Sequence, residues 1–76
     1  MVASKGGPLS FVNLDAVQHD VVAVDRGPDG RPLFRTPLIG LGETAPVEGM
    51  DRVESGRAYP FFCSVHPGMQ GTLSVR

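Results

Sequence analysis

The segment Cys63-Ser64-Val65-His66-Pro67-Gly68-Met69 spaces a thiol, an imidazole and a thioether three residues apart. It follows an aromatic run, Tyr59 to Phe62, and precedes the β-type run Thr72 to Val75, so it reads as a loop joining two strands. A loop can turn all three side chains toward one point, whereas a strand sends odd and even positions to opposite faces. Pro67 restricts the backbone there and Gly68 frees it, as such a chelate requires. The only other histidine, His19, stands at the entry to the apolar run Val21-Val22-Ala23-Val24. An ion joining His19 to the loop would clip distant strands together and would use every Cys and His in the chain.

The donor set selects the ion. Two imidazoles and a thiolate in a rough plane, with a weak axial thioether, suit a single copper that cycles between Cu(II) and Cu(I). Zinc would accept the cysteine and the histidines, but methionine is a poor fourth ligand for it. Calcium and magnesium want oxygen. Iron–sulfur clusters need more cysteines than the one present. Taken singly, each residue has a commoner role: His19 on the surface, Cys63 as a small buried apolar group, Met69 in packing. The four soft donors together reverse that reading. His19, Cys63, His66 and Met69 are the expected ligands of one copper ion.

The elements that must position them are strands. Glycine and proline punctuate the chain every few residues, with β-branched and aromatic residues between, which is the texture of an all-β sandwich or barrel. Val2 to Ser4 is a stub, and Leu9 to Asn13 places Leu9 and Phe11 on one face. Asp20 to Asp25 is apolar on both sides and expected to lie between layers. Gly27-Pro28-Asp29-Gly30 marks a tight turn. Pro32 to Pro46 is irregular, with Leu33, Phe34, Leu38, Ile39 and Leu41 expected to pack inward. Glu48 to Ser55 allows at most a short helical turn. Arg57 to Cys63 is a strand with Tyr59, Phe61 and Cys63 on one face. Pro60 on the other face cannot donate to a ladder, which points to an edge or a bulge. Thr72 to Val75 closes the set, with Leu73 and Val75 pointing the same way.

Seventy-six residues make one domain, spanning residues 1–76. A chain this short buries only about 60% of its unfolded surface, so its core needs a supplement. One cysteine rules out an internal disulfide, leaving a metal or a partner chain. The net charge is -1 and the basic residues (Lys5, Arg26, Arg31, Arg35, Arg52, Arg57 and Arg76) are scattered, which argues against nucleic-acid binding. No apolar run approaches the roughly 18 residues of a membrane span. Met1 to Gly7 lacks the apolar stretch of a secretory signal, so a signal has been removed or the chain is one domain of a longer one.

These segments resemble the cupredoxins, the family of small blue type 1 copper proteins that includes plastocyanins, amicyanins and pseudoazurins. The shared pattern is an Asn-x-Asp-like stretch (Asn13-Leu14-Asp15), the first histidine, and a late Gly-x-Tyr-x-Phe-x-Cys strand with a Cys–His–Met loop. Gly56 departs from that spacing only in having Arg57-Ala58 before Tyr59. The short ligand loop is most similar to that of amicyanin. The resemblance covers the chain from Val2 onward. It implies a Greek-key β-sandwich, one-electron transfer between a protein donor and a protein acceptor, and a periplasmic or extracellular location. It also implies that His66 shows its ring edge at the surface, with Pro67, Gly68 and Met50 around it as the docking patch. Asn13, Asp20, Ser64 and Val65 are the residues expected to orient the ligands from behind.

Two departures stand out. Family members carry asparagine after the first histidine, tethering the cysteine loop, where this chain has Asp20. An ionised carboxylate accepts but cannot donate, so the tether must be rewired or Asp20 protonated. The family's first strand is also missing before Val2, which leaves a sheet edge open for a homodimer. Among other functions, a copper carrier or chaperone uses the same soft donors and is the main alternative. A thiol hydrolase on Cys63 and His66 lacks a third orienting group and an oxyanion donor set. A multicopper oxidase needs histidines the chain does not have. The expectation is a carrier and not an enzyme.

Overall fold

Short strands separated by glycine and proline turns assemble into two sheets. The computed structural model describes residues 1–4 and 6–76, apart from the side chain of Pro67. In chain order the strands are β1 (Val2–Ala3), β2 (Ser10–Val12), β3 (Val22–Ala23), β4 (Thr44–Pro46), β5 (Ala58–Cys63) and β6 (His66–Val75), with a 3-10 turn at Met50–Arg52. One sheet has the order β1-β6-β5-β3, and the other pairs β2 with β4. β1 runs parallel to β6; the remaining pairs are antiparallel. This is the all-β, two-sheet architecture that the turn-rich sequence implies.

The core lies between the layers. From the larger sheet come Val21, Ala23, Tyr59, Leu73 and Val75, and opposite them sit Phe34, Val47, Met50 and Val53. Leu9 and Phe11 pack against this cluster from the β2 side. Phe34 meets Tyr59 edge-on, centroids 6.3 Å apart at 89°, the arrangement aromatic quadrupoles favour. Phe34 and Leu73 are fully enclosed, each contributing roughly 1.5–3 kcal/mol by leaving water. The Tyr59 hydroxyl still finds a partner, accepting from the Glu54 N–H at 2.9 Å.

The irregular stretch between β3 and β4 ties the sheets together. The Thr36 N–H donates to the Val21 carbonyl at 2.8 Å, and the Thr36 Oγ1 accepts from the Val21 N–H at 2.9 Å. Arg35 bridges both Val22 and Glu48. The outer side of β3 is therefore covered by this stretch.

Four sequence expectations change. Val24, Leu38 and Leu41 are exposed. Ile39 takes the inward position by bridging His19, so its neighbour Leu38 faces out by alternation. Leu41 sits at a turn tip closed by the Glu43 N–H to the Gly40 carbonyl. Val24 follows Ala23, whose side chain already fills the inward position. Pro60 is on an interior strand, and the register shift falls at Phe62/Cys63. Its carbonyl accepts from Val24 N–H at 3.0 Å, so its missing N–H faces the same side, beyond the last β3 pair, Ala23–Phe61. The ladder loses little there.

Candidate metal centre

The sulfur and one imidazole are brought together by a hairpin. β5 ends at Cys63, Ser64 and Val65 form the turn, and β6 begins at His66, which pairs directly with Cys63. The spacing predicts an open loop from Cys63 to Met69, but the structure has a two-residue turn followed by a bulge. Phe62 pairs with Gln70, so Pro67, Gly68 and Met69 have no opposite residues. A bulge breaks the strict alternation of a strand, which frees Met69 from the face its position would dictate. Beyond it, Gly71 lies beneath Phe61: a Cβ there would come within 2.5 Å of the ring. Only glycine lets this aromatic close over the strand beside the cysteine.

His19 reaches the site from the segment between β2 and β3. Its backbone exchanges two hydrogen bonds with Ile39, at 3.1 and 3.0 Å. The imidazole is 4% exposed and Cys63 is 3% exposed. His19 Nδ1 lies 3.7 Å from Cys63 Sγ, and the His19 and His66 rings have centroids 5.0 Å apart, tilted 45°. Met69 is 47% exposed and lines a hollow of about 250 Å3 together with His19, Cys63, Phe11 and Phe61. All four expected donors therefore lie in one neighbourhood. Among the described residues, no three His, Cys, Asp or Glu side chains are grouped closely enough to hold a metal ion as they stand. His19 and Cys63 face each other, His66 is adjacent and Met69 flanks the hollow.

The residues behind the donors are well engaged. Asn13, almost wholly buried, donates from Nδ2 to the carbonyls of Val17 (2.9 Å) and Ile39 (2.8 Å). Asp20 solves its substitution problem by accepting twice from one residue, from the Ser64 N–H at 2.7 Å and the Ser64 hydroxyl at 2.6 Å. Both donors belong to Ser64, so the carboxylate needs no proton of its own to hold the turn. Val65 contributes through its backbone while its side chain is exposed.

Electrostatics move the two facing groups in opposite senses for a metal: Cys63 toward its thiolate, His19 toward its protonated form. Burial pushes the Cys63 thiol up, but backbone contacts at Asp20 and Val65 and the His19 hydrogen bond outweigh it, leaving the thiol below its ordinary value. The hydrogen bond to Asp15, then that to Cys63, holds His19 above the ordinary imidazole value. Asp15 is correspondingly lowered, chiefly by its bond to His19. Asp15 is not among the residues expected to orient the ligands. Its position four residues before His19, in the Asn13-Leu14-Asp15 stretch, is the signal that marks it.

The expected docking patch is partly corrected. Met50 is 6% exposed and belongs to the core, since the 3-10 turn points it inward against the strands; it is no surface residue. Gly68 is exposed. The Pro67 side chain lies outside the described residues. Exposed apolar side chains instead come from the segments that carry the donors, Leu14 (80% exposed) and Val17 before His19 and Val65 and Met69 beside His66, and from Leu38 on the stretch that bridges His19.

No family model matches the chain, and no curated protein matches it significantly. Solved structures do. A reduced amicyanin variant superposes with a TM-score of 0.72 at 23% identity, covering 99% of this chain and 66% of its own. The Cu(I) form of another amicyanin variant gives 0.71 at 23%, with the same coverage. A purple cupredoxin from Nitrosopumilus maritimus gives 0.69 at 26%, covering 97% of this chain and 73% of its own. The chain thus spans 66% of the length of the amicyanins it matches. No helix among the described residues is long and apolar enough to cross a membrane.

Proposed function

We propose, from the cupredoxin fold that this chain shares with those structures, that it carries single electrons on one copper ion held by His19, Cys63, His66 and Met69. The observation that supports this most is the 3.7 Å between His19 Nδ1 and Cys63 Sγ. Metal–nitrogen bonds of about 2.0 Å and metal–sulfur bonds of about 2.3 Å put two donors about 3.7 Å apart across a trigonal angle. The donor set is soft, with two imidazoles, a thiolate and a thioether, and fits copper by its chemistry as well as its spacing. Bound there, the ion supplies a Cu(II)/Cu(I) couple.

The chain's own groups do the rest. Cys63, with its thiol already lowered, enters as the thiolate. His19 is fixed by backbone bonds on one side and by Asp15 on the other. Asp20 anchors the turn that carries His66, so the ligands from β5 and β6 are pinned to the segment that carries His19. Such fixing limits rearrangement between oxidation states, which a fast one-electron carrier needs. Met69, at the open flank, is the weak ligand that tunes the potential.

Redox proteins meet over small, short-lived interfaces, often under about 1,200 Å2. Leu14, Val17, Val65 and Met69 give the donor end an apolar surface of that kind for a protein donor and a protein acceptor. The periplasm or the extracellular space is the compartment proposed. The exposure of Met69 favours one second reading, a copper carrier that hands the ion on through that open flank. A reversible one-electron couple with no loss of metal on cycling separates electron transfer from delivery.

The direct test is the absorption spectrum after one equivalent of Cu(II). The native chain is expected to show an intense visible thiolate-to-copper band and Cys63→Ser to show none. A serine variant that keeps the band would overturn the thiolate assignment, and with it the proposed function.

A further inference from the structure

We infer that Asp15 is a positioning residue of the metal centre: its carboxylate holds the His19 ring so that Nδ1, and not Nε2, faces the sulfur. This deepens the copper reading and rests on it. Asp15 Oδ2 lies 3.0 Å from His19 Nε2, on the flank of the ring opposite Nδ1, which points at Cys63 Sγ. An ionised carboxylate can only accept, so Nε2 is the nitrogen that carries hydrogen. In the neutral imidazole the Nδ1 lone pair is then free and aimed at the place where an ion would meet Cys63. A carboxylate partner of this kind sets the tautomer and raises the basicity of a ligating histidine.

Asp15 is itself held. Its N–H donates to Asn13 Oδ1 at 2.8 Å, a turn in which an asparagine side chain stands in for backbone. Asn13 Nδ2 donates to Ile39 O, and Ile39 bridges the His19 backbone. The hydrogen bonds form a closed circuit through Asn13, Asp15, His19 and Ile39, which leaves the imidazole little freedom to rotate. Asn13 therefore acts on the ligand through Asp15 and Ile39, not by touching it.

The carboxylate lies outside the site, on the far side of the ring from the sulfur, and is 59% exposed. Replacing it empties no core, so its variants should fold. The experiment compares the full native chain with Asp15→Asn and Asp15→Ala by two readouts. The first is the His19 tautomer in the metal-free protein, from nitrogen chemical shifts above the imidazole titration. Nε2–H is expected in the native chain and a mixture in Asp15→Ala. The second is Cu(II) affinity by chelator competition, expected to fall about 10–100-fold in Asp15→Ala and by less in Asp15→Asn, whose amide oxygen can still accept. Each tenfold loss confined to Cu(II) should raise the potential by about 59 mV.

An unchanged tautomer together with an affinity within about twofold of native would overturn the role of Asp15 while leaving the copper site intact. If the native chain shows no copper band but the tautomer still depends on Asp15, the metal reading fails and the positioning of His19 by Asp15 stands.

Discussion

The turn at Gly27–Gly30 and the turn at Ser64–Val65 both reverse the chain, but contacts of different reach hold them. In the first, the Gly30 N–H donates to the Gly27 carbonyl at 3.0 Å, the Arg31 N–H to Asp29 Oδ1 at 3.0 Å, and Arg26 Nη1 to the Gly30 carbonyl at 2.7 Å. The partners in these hydrogen bonds all lie within a few residues, the distant contact being the exposed Arg52–Asp29 ion pair at 3.8 Å, and Gly30 takes φ +78 at no steric cost. In the second, the anchor is Asp20, 44 positions away, which accepts both donors of Ser64. A turn whose hydrogen bonds are local needs little beyond its own residues, since an exposed ion pair adds little. A turn held from a distance reports on the packing of the whole fold, and here it joins the segment of His19 to the segment of Cys63 and His66.

Substitutions at the two turns should separate these behaviours. The largest effect is expected for Asp20→Ala, which leaves the Ser64 N–H without its partner. An unmet donor of this kind costs about 1–3 kcal/mol, and copper affinity and the visible band should suffer with stability. Denaturant unfolding and a copper titration of the same variant would show both; loss of stability with an unaltered copper spectrum would break the link between turn and site. Gly30→Ala forces a side chain into the left-handed region and should cost about 1 kcal/mol. It should leave the copper spectrum and potential unchanged, because nothing at that turn reaches the donors.

Met69→Gln sharpens the contrast within the site. With the bulge intact, the variant should keep copper, lower the potential and change the colour, as voltammetry and absorption would record. An unmoved potential would remove Met69 from the ligand set.

The smallest effect concerns pH. Asp15 is lowered, so its contribution to the metal-free fold is present above the ordinary carboxylate value of 3.8 and is lost as pH falls through its folded value. His19 is raised, so its contribution is present below the ordinary imidazole value of 6.5 and is lost as pH rises through its folded value. The pair therefore helps most between those two values. Exposure of the carboxylate lets solvent screen it, so the gain is modest. Thermal unfolding of native and Asp15→Asn metal-free protein across pH 4–8 should differ most near the middle of that window; a constant difference would count against the pair.

Much of the fold was legible in the residues. Alternation along Tyr59, Phe61 and Cys63 located β5, the pair Leu73 and Val75 located the end of β6, and Gly27 to Gly30 announced its turn. Leu38 and Leu41 misled because they are apolar without being inward: the backbone bridge of His19 to Ile39 decides which residue faces in. Met50 misled in the other direction, since an apolar residue near a glycine gives no local sign of whether a 3-10 turn will point it at the core.

By itself, the amino-acid sequence determined which donors exist, how Cys63, His66 and Met69 are spaced, and where the chain can turn. Those properties depend on residue type and near-neighbour spacing. Only the tertiary structure decided which nitrogen of His19 faces the sulfur and that Asp20 found both its donors on Ser64. Each depends on the register between strands far apart in the chain, and a register is chosen by packing across the whole sandwich, which no local pattern of residues encodes.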